Sequence, residues 1–170
     1  MSNRPLNQKG LTLIELVVAI GIASFVVVAA AAVIFQLITV PERNSNHMTA
    51  YTEVQNAGFS VSRDAVQAYD VTVDDDAWLT LDWADWGGYA HQVVYTLEDS
   101  SDGLKELWRD YSYSDIDGPK EETMLVARYI DPGTNCSWDE VEKVLTLVIT
   151  AQVGDESATR TYNIEPRPLS

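Results

Sequence analysis

Few side chains in this chain of 170 residues combine a type and a spacing that could do chemistry, and the sharpest of them is Glu15. It stands in Lys9-Gly10-Leu11-Thr12-Leu13-Ile14-Glu15-Leu16, at the head of an apolar run that reaches Val40. From Leu16 to Phe35 the sole polar side chain is Ser24. A run of that length suffices to cross a bilayer as one helix. A charged side chain inside such a helix costs about 2.5–3.5 kcal/mol on insertion scales. A carboxylate kept there is expected to have a use, and the chemistry open to it is pairing with a cation. Thr12 is expected to be a small tolerated residue rather than a second polar partner.

The other candidates are weaker. His47 and His91 lie far apart in sequence, Cys136 is the one cysteine, and no phosphate loop or zinc motif appears. Cys136 therefore has no partner for an intramolecular disulfide and is expected to be a small buried residue. With 26 acidic residues, a carboxylate pair is uninformative as a catalytic sign. The chain is expected not to be an enzyme and to need no cofactor. Calcium is the one metal that the acidic turns invite. Asp115-Ile116-Asp117-Gly118 with Glu121 and Glu122 is one partial set, and Asp99, Asp102 and Gly103 are another. Both lack the full ligand spacing, and ordinary turn chemistry accounts for them. Trp83, Trp86 and Tyr89 flank Gly87-Gly88 and suggest an adhesive or partner-binding surface, with core packing the competing use for at least two of the rings.

The elements that position these residues follow from periodicity. Pro41 closes the apolar run and, in a continuing helix, bends it. Residues 42–69 read as an amphipathic helix, with Ala50, Val54, Ala57, Val61, Ala65 and Ala68 on one stripe, widened by Tyr51, Phe59, Val66 and Tyr69. A helix over residues 11–69 would be about 90 Å long, its first half in lipid or a filament core and its second half the spine of a head. From Asp70 onward the period becomes two. Leu79, Leu81 and Trp83 alternate with polar residues, as do Leu145, Leu147, Ile149, Ala151 and Val153. Gly154-Asp155-Glu156 offers a hairpin turn into residues 158–164. The expected fold class is α+β, a long N-terminal helix packed against an antiparallel β head. All five Trp fall in the head, as a small core needing large aromatics would have them.

Charge narrows the partners. The chain carries 11 basic and 26 acidic side chains, a formal −15. Such a body argues against nucleic acid and anionic lipid as ligands. Arg4 and Lys9 precede the apolar run and the acidic bulk follows it, so the positive-inside tendency keeps the N-terminus cytoplasmic and exports the head.

The residues Lys9-Gly10 followed by Leu11-Thr12-Leu13-Ile14-Glu15-Leu16-Val17-Val18-Ala19-Ile20-Gly21-Ile22 resemble the signal of type IV pilins and type II secretion pseudopilins. The resemblance implies cleavage between Gly10 and Leu11 by prepilin peptidase, N-methylation of Leu11, and a role for Glu15 in assembly. It divides the chain into a leader (1–10), a transmembrane or filament-core helix (11–40), an amphipathic spine (41–69) and a β-rich extracytoplasmic head (70–170). Removing the leader takes two of the 11 basic residues, leaving nine against 26 acidic ones, about −17. The partners it implies are other pilin or pseudopilin subunits and an inner-membrane assembly platform. The family most often has Phe where this chain has Leu11. It also often breaks the helix midway with Pro or Gly, and this chain has neither between Gly21 and Pro41. Three pieces of the head are similar to J-type minor pseudopilins and related minor pilins: residues 55–64, Tyr95-Thr96-Leu97 with residues 104–109, and a closing hairpin that runs into Pro166-Arg167-Pro168. The expected function is a structural subunit of a pilus or pseudopilus. The alternative is an exported binding or adhesive domain on an uncleaved signal anchor.

Overall fold

The computed structural model describes residues 12–74, 77–100, 102–116 and 118–167, with side chains for all of these except 38–41 and 115. The described residues divide into two compact units between Glu42 and Arg43. A single helix, α1 (Leu13–Ala65), runs through that division and continues as helical backbone through Pro41.

In the first unit every side chain from 13 to 37 is exposed, Phe25 by 82% and Leu13 by 81%. The apolar face is the whole circumference, which is the pattern of a helix meant for lipid or for partner helices rather than for its own core. The most apolar window of 18 residues has a mean hydropathy of 2.8, long and apolar enough to cross a membrane. Ser24 does not spoil it, because its hydroxyl donates to the Ile20 carbonyl at 2.8 Å.

In the second unit, residues 43–65 of α1 pack on a sheet of eight strands among the described residues. These are β1 (Asp70–Thr72), β2 (Leu79–Ala84), β3 (Ala90–Asp99), β4 (Lys105–Asp115), β5 (Gly118–Ile130), β6 (Asn135–Asp139), β7 (Val144–Val153) and β8 (Glu156–Ile164). The pairings are all antiparallel. The order is β1-β2-β3-β4-β5-β7-β6, with β8 on the other edge of β7. β5 meets β7 through Ile130 and Ala151 alone, so two antiparallel blocks join at one bridge. The α+β class expected from periodicity is what the chain adopts.

The predicted stripe is the helical half of the core: Ala50, Ala57, Val61, Ala65 and Ala68 are fully buried and Val54 nearly so. Leu79, Leu81, Val93, Tyr95, Leu145, Leu147, Ile149 and Ala151 face it from the strands and are equally buried. Small residues on the helix let its backbone lie close to the sheet. Gly58 shows how close, since a Cβ there would come within 2.1 Å of Tyr162 Cζ. Tyr162 also donates its hydroxyl to the Val54 carbonyl at 3.3 Å. Helix propensity alone would make Gly58→Ala stabilising by about 1 kcal/mol, but overpacking costs about 1–3 kcal/mol and should win. The variant is expected to melt below the wild type in a thermal scan, and a higher midpoint would show that the Tyr162 ring swings clear at no cost.

Three expectations need correction. The helix stops at Ala65 rather than at Tyr69, where the chain turns to place the Tyr69 N–H on the Asp82 carbonyl at 3.0 Å. Tyr51, Phe59, Val66 and Tyr69 do not widen the buried stripe; they are 41–72% exposed, the first two because a helix this close to a sheet has no room for rings on that face, the last two because they lie beyond the helix end. The tryptophans do not make the centre of the core. Trp83 is buried and Trp78 and Trp138 pack at its edge, while Trp86 is 97% exposed; the largest fully buried side chains are Tyr95 and aliphatic residues. The β7–β8 hairpin forms as read, with a two-residue loop in which Gly154 takes φ of 58°.

Candidate functional site

Two features carry chemistry, one in each unit. In the first, Gly10 and Leu11 lie outside the described residues, and the site begins at Thr12. Thr12 caps α1: the Glu15 N–H donates to the Thr12 hydroxyl oxygen at 3.3 Å, and Glu15 Oε2 accepts from the Thr12 N–H at 2.9 Å. The Thr12 hydroxyl also donates to the same Oε2 at 2.9 Å. This is a reciprocal capping box, which satisfies backbone donors that no helical turn can reach. The expectation that Thr12 is a passive small residue is therefore wrong. The signal was in the sequence, since Thr-x-x-Glu before an apolar run is the signature of that box. Among the described residues Glu15 Oε1 accepts no bond, so half of the carboxylate stays available to a cation.

In the head, Asp64 is a buried carboxylate, 2% exposed, at the last turn of the packed helix. Arg109 donates Nε–H to its Oδ2 at 2.6 Å and Tyr95 donates its hydroxyl to the same oxygen at 2.7 Å. Arg63 reaches Oδ1 at 3.2 Å, and the Ser60 hydroxyl lies 3.0 Å from Tyr95 Oη. Tyr95 on β3 and Arg109 on β4 are direct register partners, so one rung of the sheet presents both groups to the helix. Burial, with the Asp64 charge beside it, pushes the Tyr95 hydroxyl far above its ordinary value and keeps it a donor. Burial works against the Arg109 charge, yet the bond to Asp64 and its negative charge more than offset this. The arrangement is a lock between helix and sheet, with Asp64 accepting from Arg109, Tyr95 and Arg63.

The two ends of this lock come from separate pieces of the head, Asp64 from the end of α1 and Tyr95 and Arg109 from neighbouring strands. The closing piece meets the same helix end, where Arg167 donates its N–H to the Ala68 carbonyl at 3.1 Å. Sequence reasoning missed the lock, although periodicity held a hint. Asp64 sits three residues after Val61 on the buried stripe, and Arg109 alternates in phase with Leu107.

The remaining sequence candidates do not converge. His47 is exposed on α1, and His91 lies on β3 with Nδ1 2.7 Å from Tyr111 Oη. Cys136 is buried on β6 and its thiol is pushed up to about 12 by burial, which leaves it a packing residue rather than a nucleophile. Of the calcium candidates, Asp117 lies outside the described residues, and Asp99 accepts instead from Lys105 Nζ at 2.7 Å. Among the described residues no three His, Cys, Asp or Glu gather as metal ligands.

Compared with protein-family models, residues 5–31 match the prokaryotic N-terminal methylation motif. The match spans the capped start of α1 and most of its apolar run. Searches of curated proteins and of solved structures found no match.

Proposed function

We propose, for a chain that carries at residues 5–31 the prepilin signal of type IV pilins and pseudopilins, that it is a minor subunit of a type IV pilus or of a type II secretion pseudopilus. Prepilin peptidase cuts it between Gly10 and Leu11, Leu11 is N-methylated, and an inner-membrane platform draws it among other pilin-type subunits. Before assembly it crosses the cytoplasmic membrane once, N-terminus in the cytoplasm, with the head outside. Its work is mechanical, and it needs no catalytic residue.

The observation that carries this reading is an apolar helical stretch, exposed from residue 13 to 37, whose one carboxylate sits in a capping box within the methylation motif. Cleavage after Gly10 leaves Thr12 in place, so the helix keeps its cap. It also creates an α-amine at Leu11, about one helical turn from Glu15. In hydrocarbon each of these charges is costly alone, and an opposite charge at short range relieves both. With Oε2 engaged by Thr12, Oε1 is the atom left for the amine of a neighbouring subunit. Pairing across subunits gives a reason to leave the bilayer and sets the axial register.

Replacing Gly10 by valine tests the processing step. The variant is expected to insert normally but to migrate more slowly on a denaturing gel, because it keeps the ten-residue leader. A variant processed like the wild type would overturn the cleavage assignment.

A further inference from the structure

Three segments of the head converge at the far end of the packed helix, about 33 Å along it from Arg43. They are the turn after Ala65, the β2–β3 turn at residues 85–89, and the C-terminal segment around Arg167. Close to this end, the last turn of α1 and strands β2, β3 and β4 leave a shallow cavity of about 320 Å³. Arg63, Gln67, Trp83, Asp85, His91 and Tyr111 line it. Next in the chain after the lining residue Asp85 is Trp86, 97% exposed at the same turn.

The lining is stiff. Asp85 Oδ1 accepts from the Gly87 N–H at 2.8 Å and the Tyr89 N–H at 3.0 Å, which fixes the turn that carries Trp86. Gln67 donates Nε2–H to the Arg63 carbonyl at 3.2 Å, and Arg63 is held by Asp64. Trp83, His91, Tyr111 and Tyr113 form a row of near-parallel rings, neighbours 5.1–5.9 Å apart, whose planes differ by no more than 21°. Asp85 Oδ2 and His91 Nε2 face each other 3.5 Å apart, the latter buried and short of a hydrogen bond. Arg167 lies over the Trp86 ring with its guanidinium carbon 5.7 Å from the centroid, and the opposite face of the indole is bare.

We propose that this end of the head binds a neutral saccharide, with Trp86 as the stacking surface and Asp85, Gln67 and Arg63 as partners for the hydroxyls. The chemistry selects against the other ligand classes. An anion would meet Asp85 and a chain of net charge −15. A cation would meet Arg63, Arg109 and Arg167. An apolar ligand would bury Asp85, His91 and Gln67 without partners. A sugar ring answers both halves of the surface. Its C–H face packs on an indole, and its neighbouring hydroxyls each donate and accept, matching an acceptor-only carboxylate, a donor-only guanidinium and an amide that does both. The volume lies near the low end of ligand pockets, about 300–1,000 Å³, enough for one or two rings. This site does not depend on the filament reading, since a saccharide could be met by a free or an assembled head.

The test uses the full chain in lauryldimethylamine oxide, a detergent without a sugar headgroup, titrated calorimetrically with chitotetraose, cellotetraose and maltotetraose. At least one is expected to bind with a Kd on the order of 1 mM or tighter. Trp86→Ala should weaken that binding at least tenfold while shifting the melting temperature little, because the ring is 97% exposed. Gln67→Ala should weaken it less, through a lost hydroxyl contact. Heat from none of the three oligosaccharides would overturn the proposal. So would binding undiminished in Trp86→Ala, or protection of Trp86 from solvent by a co-purifying protein but by no sugar, which would assign the surface to protein docking.

Discussion

Replacing Glu15 by valine is expected to leave membrane insertion intact and to reduce incorporation into filaments at least tenfold. Removing a charge from the helix makes insertion easier by about 2.5–3.5 kcal/mol, so any loss must arise after insertion. Pairing with a neighbour's amine needs to supply only about 1.4 kcal/mol to account for a tenfold difference in occupancy. Valine also removes half of the capping box that Thr12 and Glu15 share, and loss of a cap costs about 1 kcal/mol. Glu15→Gln separates the two roles. Glutamine completes a capping box as glutamate does, but it carries no charge for an amine. Glu15→Gln is expected to assemble as poorly as Glu15→Val, and Thr12→Ala, which damages the cap and spares the charge, to assemble nearly as well as the wild type. Sheared filament fractions probed for this subunit measure all three. Wild-type incorporation of Glu15→Gln would make the carboxylate a helix cap and nothing more.

The second large effect belongs to the head. Asp64→Ala strands the Arg109 guanidinium, 8% exposed, with no carboxylate. Breaking a buried pair from one side costs about 3–5 kcal/mol, and for a unit of this size each kcal/mol shifts the melting midpoint by about 2–4 °C or more. A fall of about 10 °C is expected in a thermal melt followed by circular dichroism. Tyr95→Phe, which removes one neutral donor and leaves both charges paired, should cost about 1–2 kcal/mol. Replacing both partners, Asp64→Leu with Arg109→Met, should recover much of the loss, since an apolar pair of similar volume often equals a buried ion pair. A midpoint for Asp64→Ala within 1–2 °C of the wild type, roughly the effect of a surface change, would show that the lock does not hold helix to sheet.

What could be read ahead of the structure was whatever has a period. Ala50 through Ala68 recur at three and four residues, and β2 and β7 alternate at two, so the buried faces of one helix and two strands were legible without any tertiary information. Rings on the spine were not. Tyr51 and Phe59 neighbour the stripe on a helical wheel, and only the close approach of the sheet, which Gly58 permits, decides that they stay outside. Trp83 and Trp86 are three residues apart with the same side chain, yet one lies on a core-facing strand position and the other at the tip of a turn. The Asp64 lock joins residues 45 positions apart, a pairing that depends on which strand lands beside the helix. At the N-terminus the position was reversed. The motif at residues 5–31 is local, and the capping box that the structure added was also local, written in Thr12 and Glu15 and passed over.

The central claim is that this chain is a processed prepilin, and the mass of the mature protein tests it most directly. Purified from the membranes or filaments of its own cell, the protein is expected to have the mass of a chain that begins at Leu11 and carries one added methyl group. Fragmentation should place that group on the Leu11 nitrogen. An intact N-terminus with residues 1–10 retained would contradict the account and leave α1 as an uncleaved anchor for the head.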